Sequence, residues 1–198
     1  ASILVPKASW KHWKNCRSKG EVMATLKVPV TESDHVQGSA DALVTLVEYG
    51  DYECPHCGHA HPIVRLLQKQ FGEQLRFVFR NFPLKEIHPN AETAAESAEF
   101  AGVNGQFWEM HDGIFENQDA IGLPLLFELA QGLELSVPEL RDALEARQFE
   151  HRVREDFRGG VRSGVNGTPT FFINGLRHDG PFELEDLVEA IERQMALD

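Results

Sequence analysis

The chain has 198 residues, 42% of them hydrophobic and 25% charged, with a formal net charge of −12. That balance fits one large globular domain, or a domain with an insertion. No apolar run approaches the ~20 residues that span a bilayer. The negative charge argues against nucleic acid as a partner, and three cysteines are too few for a disulfide-stapled mini-protein.

Residues 1–22 carry Lys7, Lys11, Lys14, Arg17 and Lys19 against Glu21, a net +4 that leaves −16 for the rest. The stretch lacks the continuous apolar core of a secretory signal. It reads as a basic tail or appended extension, with Cys16 an incidental free thiol. The rival, a basic anchor using Trp10 and Trp13 at a membrane surface, lacks a sustained apolar helical face. A natural start at Met23 implies a cytosolic protein; a periplasmic or membrane-tethered location stays open.

Residues 42–49, ALVTLVEY, suit a strand covered on both faces. Gly50 and Asp51 break it. A helix begins at Pro55, with His59, Ile63, Leu66 and Leu67 at helical spacing, and stops at Gly72. Residues 75–82, LRFVFRNF, read as a second strand. Strand, helix, strand is the signature of a parallel pair.

Residues 87–163 hold only helical patterns, three to five helices long at ~11 residues each. Ala91, Ala94, Ala95 and Ala98 form a small face; Phe107, Trp108, His111, Ile114 and Phe115 form a bulky one. Ser136 and Glu139 propose a capping box, with Pro138 in the first turn. Val153, Phe157 and Val161 space a last helix. The sheet then resumes, with a strand at 170–173, an Asn174-Gly175 turn of type I′ and a return at 176–178. An amphipathic helix through Leu184, Leu187, Val188, Ile191 and Met195 ends the chain.

Between the first strand and the first helix lies YGDYECPHCGHAHP, residues 49–62. Cys54 and Cys57 are three apart, on one helix face, so a disulfide closes between them with little rearrangement. So short a loop removes little entropy from the unfolded chain and makes a poor staple. Cys54, at the helix mouth, is expected to be an exposed thiolate of low pKa, and Cys57 the buried partner. His56 between them adds a positive charge or a donor. Those are the needs of thiol–disulfide exchange. A zinc site built on Cys54, Cys57 and His59 or His61 lacks a fourth ligand, because His88, His111, His151 and His178 stand alone in the sequence. His59 is assigned to the helix face shared with Ile63 and Leu66, and His61 to solvent.

VEYGDYECPHC, followed at long range by GTPTFFINGLRHDG, resembles the DsbA-like branch of the thioredoxin superfamily over about residues 40–195. It is also similar to the DsbA-like domains fused to some bacterial sodium/proton antiporters. The resemblance implies an α/β thioredoxin fold with an all-helical insertion: residues 23–86 and 164–198 form the thioredoxin part, and 87–163 the insertion. It implies that Cys54 is the nucleophile, Cys57 the resolving cysteine and Pro169 a cis-proline preceded by Thr168. It also implies that Glu48 is a buried acid near the sulfurs.

Each residue also has its own physics. A cis bond at Thr168–Pro169 makes a tight corner, beside which an extended substrate can add as a strand; the alternative is a trans proline opening a strand. Glu48 is the odd polar residue in a buried strand, either relaying a proton to Cys57 or reaching solvent at the strand end. The reading is a monomeric thiol:disulfide oxidoreductase, with protein or peptide thiols as partners, an unidentified recycling partner, and no organic cofactor or metal. Its rivals are a non-enzymatic redox-sensing or regulatory module using the same dithiol, and a zinc-binding domain.

Overall fold

The protein is described by a computed structural model that covers residues 24–197. The basic tail, Cys16 and Met23 lie outside the described residues. The centre is a five-stranded sheet in the order β1-β3-β2-β4-β5. Its strands are β1 (His35–Gln37), β2 (Val44–Gly50), β3 (Leu75–Asn81), β4 (Thr170–Ile173) and β5 (Leu176–Arg177). β2 and β3 run parallel, Val44 opposite Leu75 through to Gly50 opposite Asn81. All other pairs are antiparallel.

Helix α1 (Pro55–Phe71) crosses from β2 to β3. Pro55 suits its first turn, where an N–H has no helical acceptor. Gly72, at φ 51°, ends it, because the left-handed region favours glycine. Between β3 and β4 lie five helices: α2 (Ala91–Val103), α3 (Phe107–Glu116), α4 (Leu123–Gly132), α5 (Val137–Glu145) and α6 (Glu150–Arg162). The alanine face of α2 is fully buried. At the start of α5 the Ser136 hydroxyl accepts the Glu139 N–H at 3.4 Å. The β4–β5 turn has Asn174 at φ 46° and Gly175 at φ 78°, the pair of positive values that a type I′ turn requires. Helix α7 (Leu184–Met195) closes the described chain.

Alternation along β2 divides the interior. Val44 and Leu46 face the larger core, shared with α1, the insertion and α7. Val47 and Tyr49 face a smaller one with Val78, Phe82 and Phe172, against which Phe157 of α6 packs. In that second layer Arg80 is buried and fully engaged. Its Nε donates to Asp34 Oδ1 at 2.7 Å and its terminal nitrogens to Asp34 Oδ2, Tyr49 Oη and the carbonyls of Val28 and Pro29.

Some sequence assignments need correction. Strand β1 was not anticipated, nor was the bridge from Thr25 to Leu176. The buried face of α1 is Cys57, Ala60, Ile63, Val64 and Leu67, not one through His59 and Leu66, both of which are exposed. Val161 is also exposed, since α6 turns Gly159 and Gly160 inward. A Cβ on Gly160 would sit 2.7 Å from Phe82 and 3.0 Å from Tyr49.

Candidate active site

β2 delivers the chain to the mouth of α1, and Cys54 takes the N-cap position in an extended conformation, φ −72° and ψ 119°. The N–H groups of Cys57 and Gly58 point back to the Cys54 carbonyl at 3.0 and 3.1 Å. Both cysteines are free thiols. Cys57 is fully covered, and Cys54 is only 5% exposed. The expectation of an exposed first sulfur is therefore corrected: the Thr168 carbonyl covers it, accepting from Cys54 Sγ at 3.3 Å. The Thr168–Pro169 bond is cis.

The two thiols are driven apart electrically. The hydrogen bond from Cys57 is the main force lowering the Cys54 pKa, and it outweighs burial. The backbone N–H groups of Cys57 and His56 add to it, bringing Cys54 from 9.0 to about 5. Cys57 moves the other way, well above 9.0, chiefly by burial, then by its bond to Cys54 and by the charges of Glu48 and Cys54. A backbone N–H from Asp51 reaches its sulfur at 3.4 Å.

Of the two roles expected of His56, a positive charge or a donor, the donor is the one that acts on Cys54. Its ring is exposed, edge-on to Phe182 with centroids 6.5 Å apart, and it supports the Cys54 thiolate through its backbone N–H. Glu48 lies on β2, 3% exposed, and its Oε1 has no protein hydrogen-bond partner. The strand-end reading that let it reach solvent does not hold. Burial, followed by the Cys54 charge, pushes its pKa up to about 8.

The histidines are also placed differently. His59 turns outward to Glu183 at 3.2 Å. His61, assigned to solvent, is tucked against Phe115, and its Nε2 lies 2.9 Å from Asp112 Oδ1. His111 is not isolated: it is buried beside Phe79 and Trp108, with Nδ1 3.0 Å from Tyr52 Oη. Among the described residues, His61, His111 and Asp112 are the one trio whose ligand-type atoms come within 4.8 Å of one another. The sulfurs do not share it, so the cysteine-based zinc set does not assemble.

Two further residues shape the dithiol turn. Asp51 is buried and takes three donors: the N–H groups of Glu53 and Leu84 at 2.8 and 2.7 Å, and His88 Nδ1 at 2.8 Å. Gln118, in the short turn after α3, donates to the carbonyls of Tyr52 at 2.7 Å and Cys54 at 2.9 Å. It fits because residue 58 is glycine; a Cβ there would sit 2.8 Å from Gln118 Cδ. Asp51 stands close enough to the motif to be suspected as a polar residue in a buried strand end. Nothing in the sequence points to Gln118. Beside Pro169 a cleft of about 210 Å³ opens between Phe171, His178 and Phe182. A larger one, about 830 Å³, lies beside Arg80 and Arg152 and touches neither cysteine.

A model of the thioredoxin family matches residues 30–193. Over 177 residues, 89% of its length, the chain is 45% identical to Na(+)/H(+) antiporter NhaA 1 of Salinispora arenicola, covering 27% of that protein. It is 39% identical over 198 residues to Na(+)/H(+) antiporter NhaA 1 of Mycobacterium sp. strain KMS, covering 32% of it. The chain thus spans about a quarter to a third of the length of these curated relatives. Among solved structures it is similar to oxidised BdbD from Bacillus subtilis, with a TM-score of 0.78, 26% identity, and coverage of 88% of this chain and 98% of that one. It also shares its fold with Wolbachia pipientis alpha-DsbA1, at a TM-score of 0.75, 20% identity, and coverage of 87% and 95%.

Proposed function

This chain belongs to the thioredoxin family, in its DsbA-like form, and we propose that it exchanges disulfides with protein or peptide substrates through Cys54 and Cys57. One arrangement carries the reading: Cys54 sits at the N-cap of α1 beside the Thr168–Pro169 bond, and Cys57 lies fully covered one turn inside, so that the first thiol is held far below its ordinary range and the second, chiefly by burial, well above it. That asymmetry suits one sulfur to attack and leave easily, and the other to wait and resolve.

In the oxidising direction, a substrate thiolate attacks Cys54 Sγ of the Cys54–Cys57 disulfide. The S–S bond breaks, Cys57 leaves with the electron pair, and Glu48, protonated near neutral pH, supplies its proton. A second substrate thiolate then attacks the substrate sulfur of the mixed disulfide. Cys54 leaves as a thiolate, the substrate is oxidised by two electrons and the pair is reduced. The reducing direction reverses these steps. Thr168 and Pro169 hold the substrate backbone beside Cys54, and His56 contributes its N–H. The purified protein should turn over more than one equivalent of insulin or of reduced, unfolded ribonuclease. Cys57→Ser should stop as a mixed disulfide through Cys54.

A second reading has its own support. The relatives named as antiporters are far longer than this chain, which favours a tethered domain that senses redox state and acts on one partner without turnover. An intact dithiol that forms one mixed disulfide with such a partner, and turns over neither test substrate, would select it. Membrane fractionation of the native protein separates a tethered location from a cytosolic one.

A further inference from the structure

Every cycle of the dithiol moves a proton to or from a place that water does not reach. Cys57 is fully covered. Glu48, the carboxyl whose charge it feels, is itself sealed. A proton handed between them has to reach solvent before the next cycle.

Glu48 also lines a small cavity between α1 and α3, about 10 Å³ in volume, roughly the room that one water needs. The remaining polar wall includes His61 and Arg65 from α1 and His111 and Asp112 from α3. These groups rise in exposure from the inner wall of the cavity to its rim. His111 is 3% exposed, the His61 side chain 11%, Asp112 26% and Arg65 54%. His61 Nε2 lies 2.9 Å from Asp112 Oδ1, and the Arg65 guanidinium holds the other carboxylate oxygen. At the inner end His111 Nδ1 is engaged by Tyr52 Oη.

We propose that His61, His111 and Asp112 carry protons between Glu48 and solvent through this cavity, giving the buried dithiol an exit on its α1–α3 side. The proposal rests on the dithiol-exchange reading and deepens it. Burial lowers the His111 pKa to about 3, so the ring stays neutral, with one nitrogen as donor and the other as acceptor. Burial alone would raise Asp112, but the His61 bond and the Arg65 charge lower it, and it stays an ionised acceptor at the mouth. No electrons move in this path. In the oxidising direction Glu48 gives its proton to Cys57 and is reprotonated inward from solvent; when Cys57 attacks a mixed disulfide, Glu48 takes the Cys57 proton and passes it outward by the same groups. The three residues are positioning and transfer groups that never touch substrate.

The test is the resolving step in isolation. Cys54 is loaded with glutathione, and its release by Cys57 is followed by stopped flow in EDTA from pH 5 to 9. Asp112→Asn, His61→Gln and His111→Gln are compared with wild type. Each should slow release about tenfold in dilute buffer, small against the ~10²–10⁴ that a direct general acid or base supplies. Concentrated imidazole should restore the rate, while Cys54 alkylation and the glutathione equilibrium stay at wild-type values. If His111→Gln does not fold, the two partly exposed positions carry the test. Variants that release at the wild-type rate overturn the relay and leave the dithiol reading standing. So does a slowing that imidazole cannot relieve, because that marks a packing role. A wild-type adduct that Cys57 never resolves sinks both.

Discussion

Replacing Glu48 with glutamine removes one ionisable group and keeps its volume. In the folded protein the carboxyl is raised from 4.5 to about 8 by burial and by the Cys54 charge; in the unfolded chain it returns to its ordinary value. Between those two pH values the native state keeps a proton that the unfolded state has released. Native stability therefore falls as pH rises through the window, by up to ~1.4 kcal/mol per pH unit, and is level outside it. The full span sets an upper figure of ~5 kcal/mol, which relaxation and water entry reduce. Glutamine does not titrate. The stability of Glu48→Gln over wild type should thus climb from near zero at pH 4.5 to roughly 3 kcal/mol at pH 8 and then flatten. Urea unfolding of both reduced proteins at half-unit pH steps reads this directly. A difference that stays constant with pH, or a wild type more stable than the variant at pH 8, would refute the picture of an unpartnered buried carboxyl.

Alkylation of the reduced protein by iodoacetamide should follow a single thiol with a midpoint near pH 5, lost in Cys54→Ser and kept in Cys57→Ser; first labelling at Cys57 would reverse the assignment. Because the thiolate stabilises the reduced form, the pair should equilibrate with glutathione at a potential above the ~−270 mV of thioredoxin, and a thioredoxin-like value would contradict this. His56→Ala should leave the Cys54 midpoint almost in place, whereas His56→Pro, which deletes the N–H, should raise it and make the pair more reducing. Equal shifts in the two variants would return the role to the imidazole. Arg80→Ala strands Asp34 without its buried partner and should cost about 3–5 kcal/mol in urea unfolding. Asp34→Ala in that background should recover part of the loss, and additive losses would show that the two do not act as a pair.

What the sequence disclosed follows from the range of the forces involved. β2, β3, the β4–β5 hairpin, α1 and α7 were legible because each is long or carries its own punctuation, such as Pro55, Gly72 and Asn174-Gly175. β1 was not: His35–Gln37 is three residues in a polar stretch, and it becomes a strand because Phe77 to Phe79 offer it an edge. The cysteines and the Thr168-Pro169 pair stood out as motifs. The neighbours that set their chemistry did not. His59 and His61 straddle the edge of the α1 face, and the arrival of α3 decides which is covered. Asp112 and Gln118 come to the site from more than fifty residues away. Thr168 covers Cys54, an exposure that no local pattern encodes.

Gln118 reaches from the insertion to the two carbonyls that frame the first cysteine, through a gap that Gly58 leaves open. The dithiol turn is therefore held in part by the insertion. A graft of residues 49–62 onto a thioredoxin scaffold without the insertion would carry the two sulfurs and the helical bonds to the Cys54 carbonyl but leave the Tyr52 carbonyl without its donor. Where position 58 carries a side chain, the glutamine amide must shift from its present seat, and its bonds to the two carbonyls shift with it.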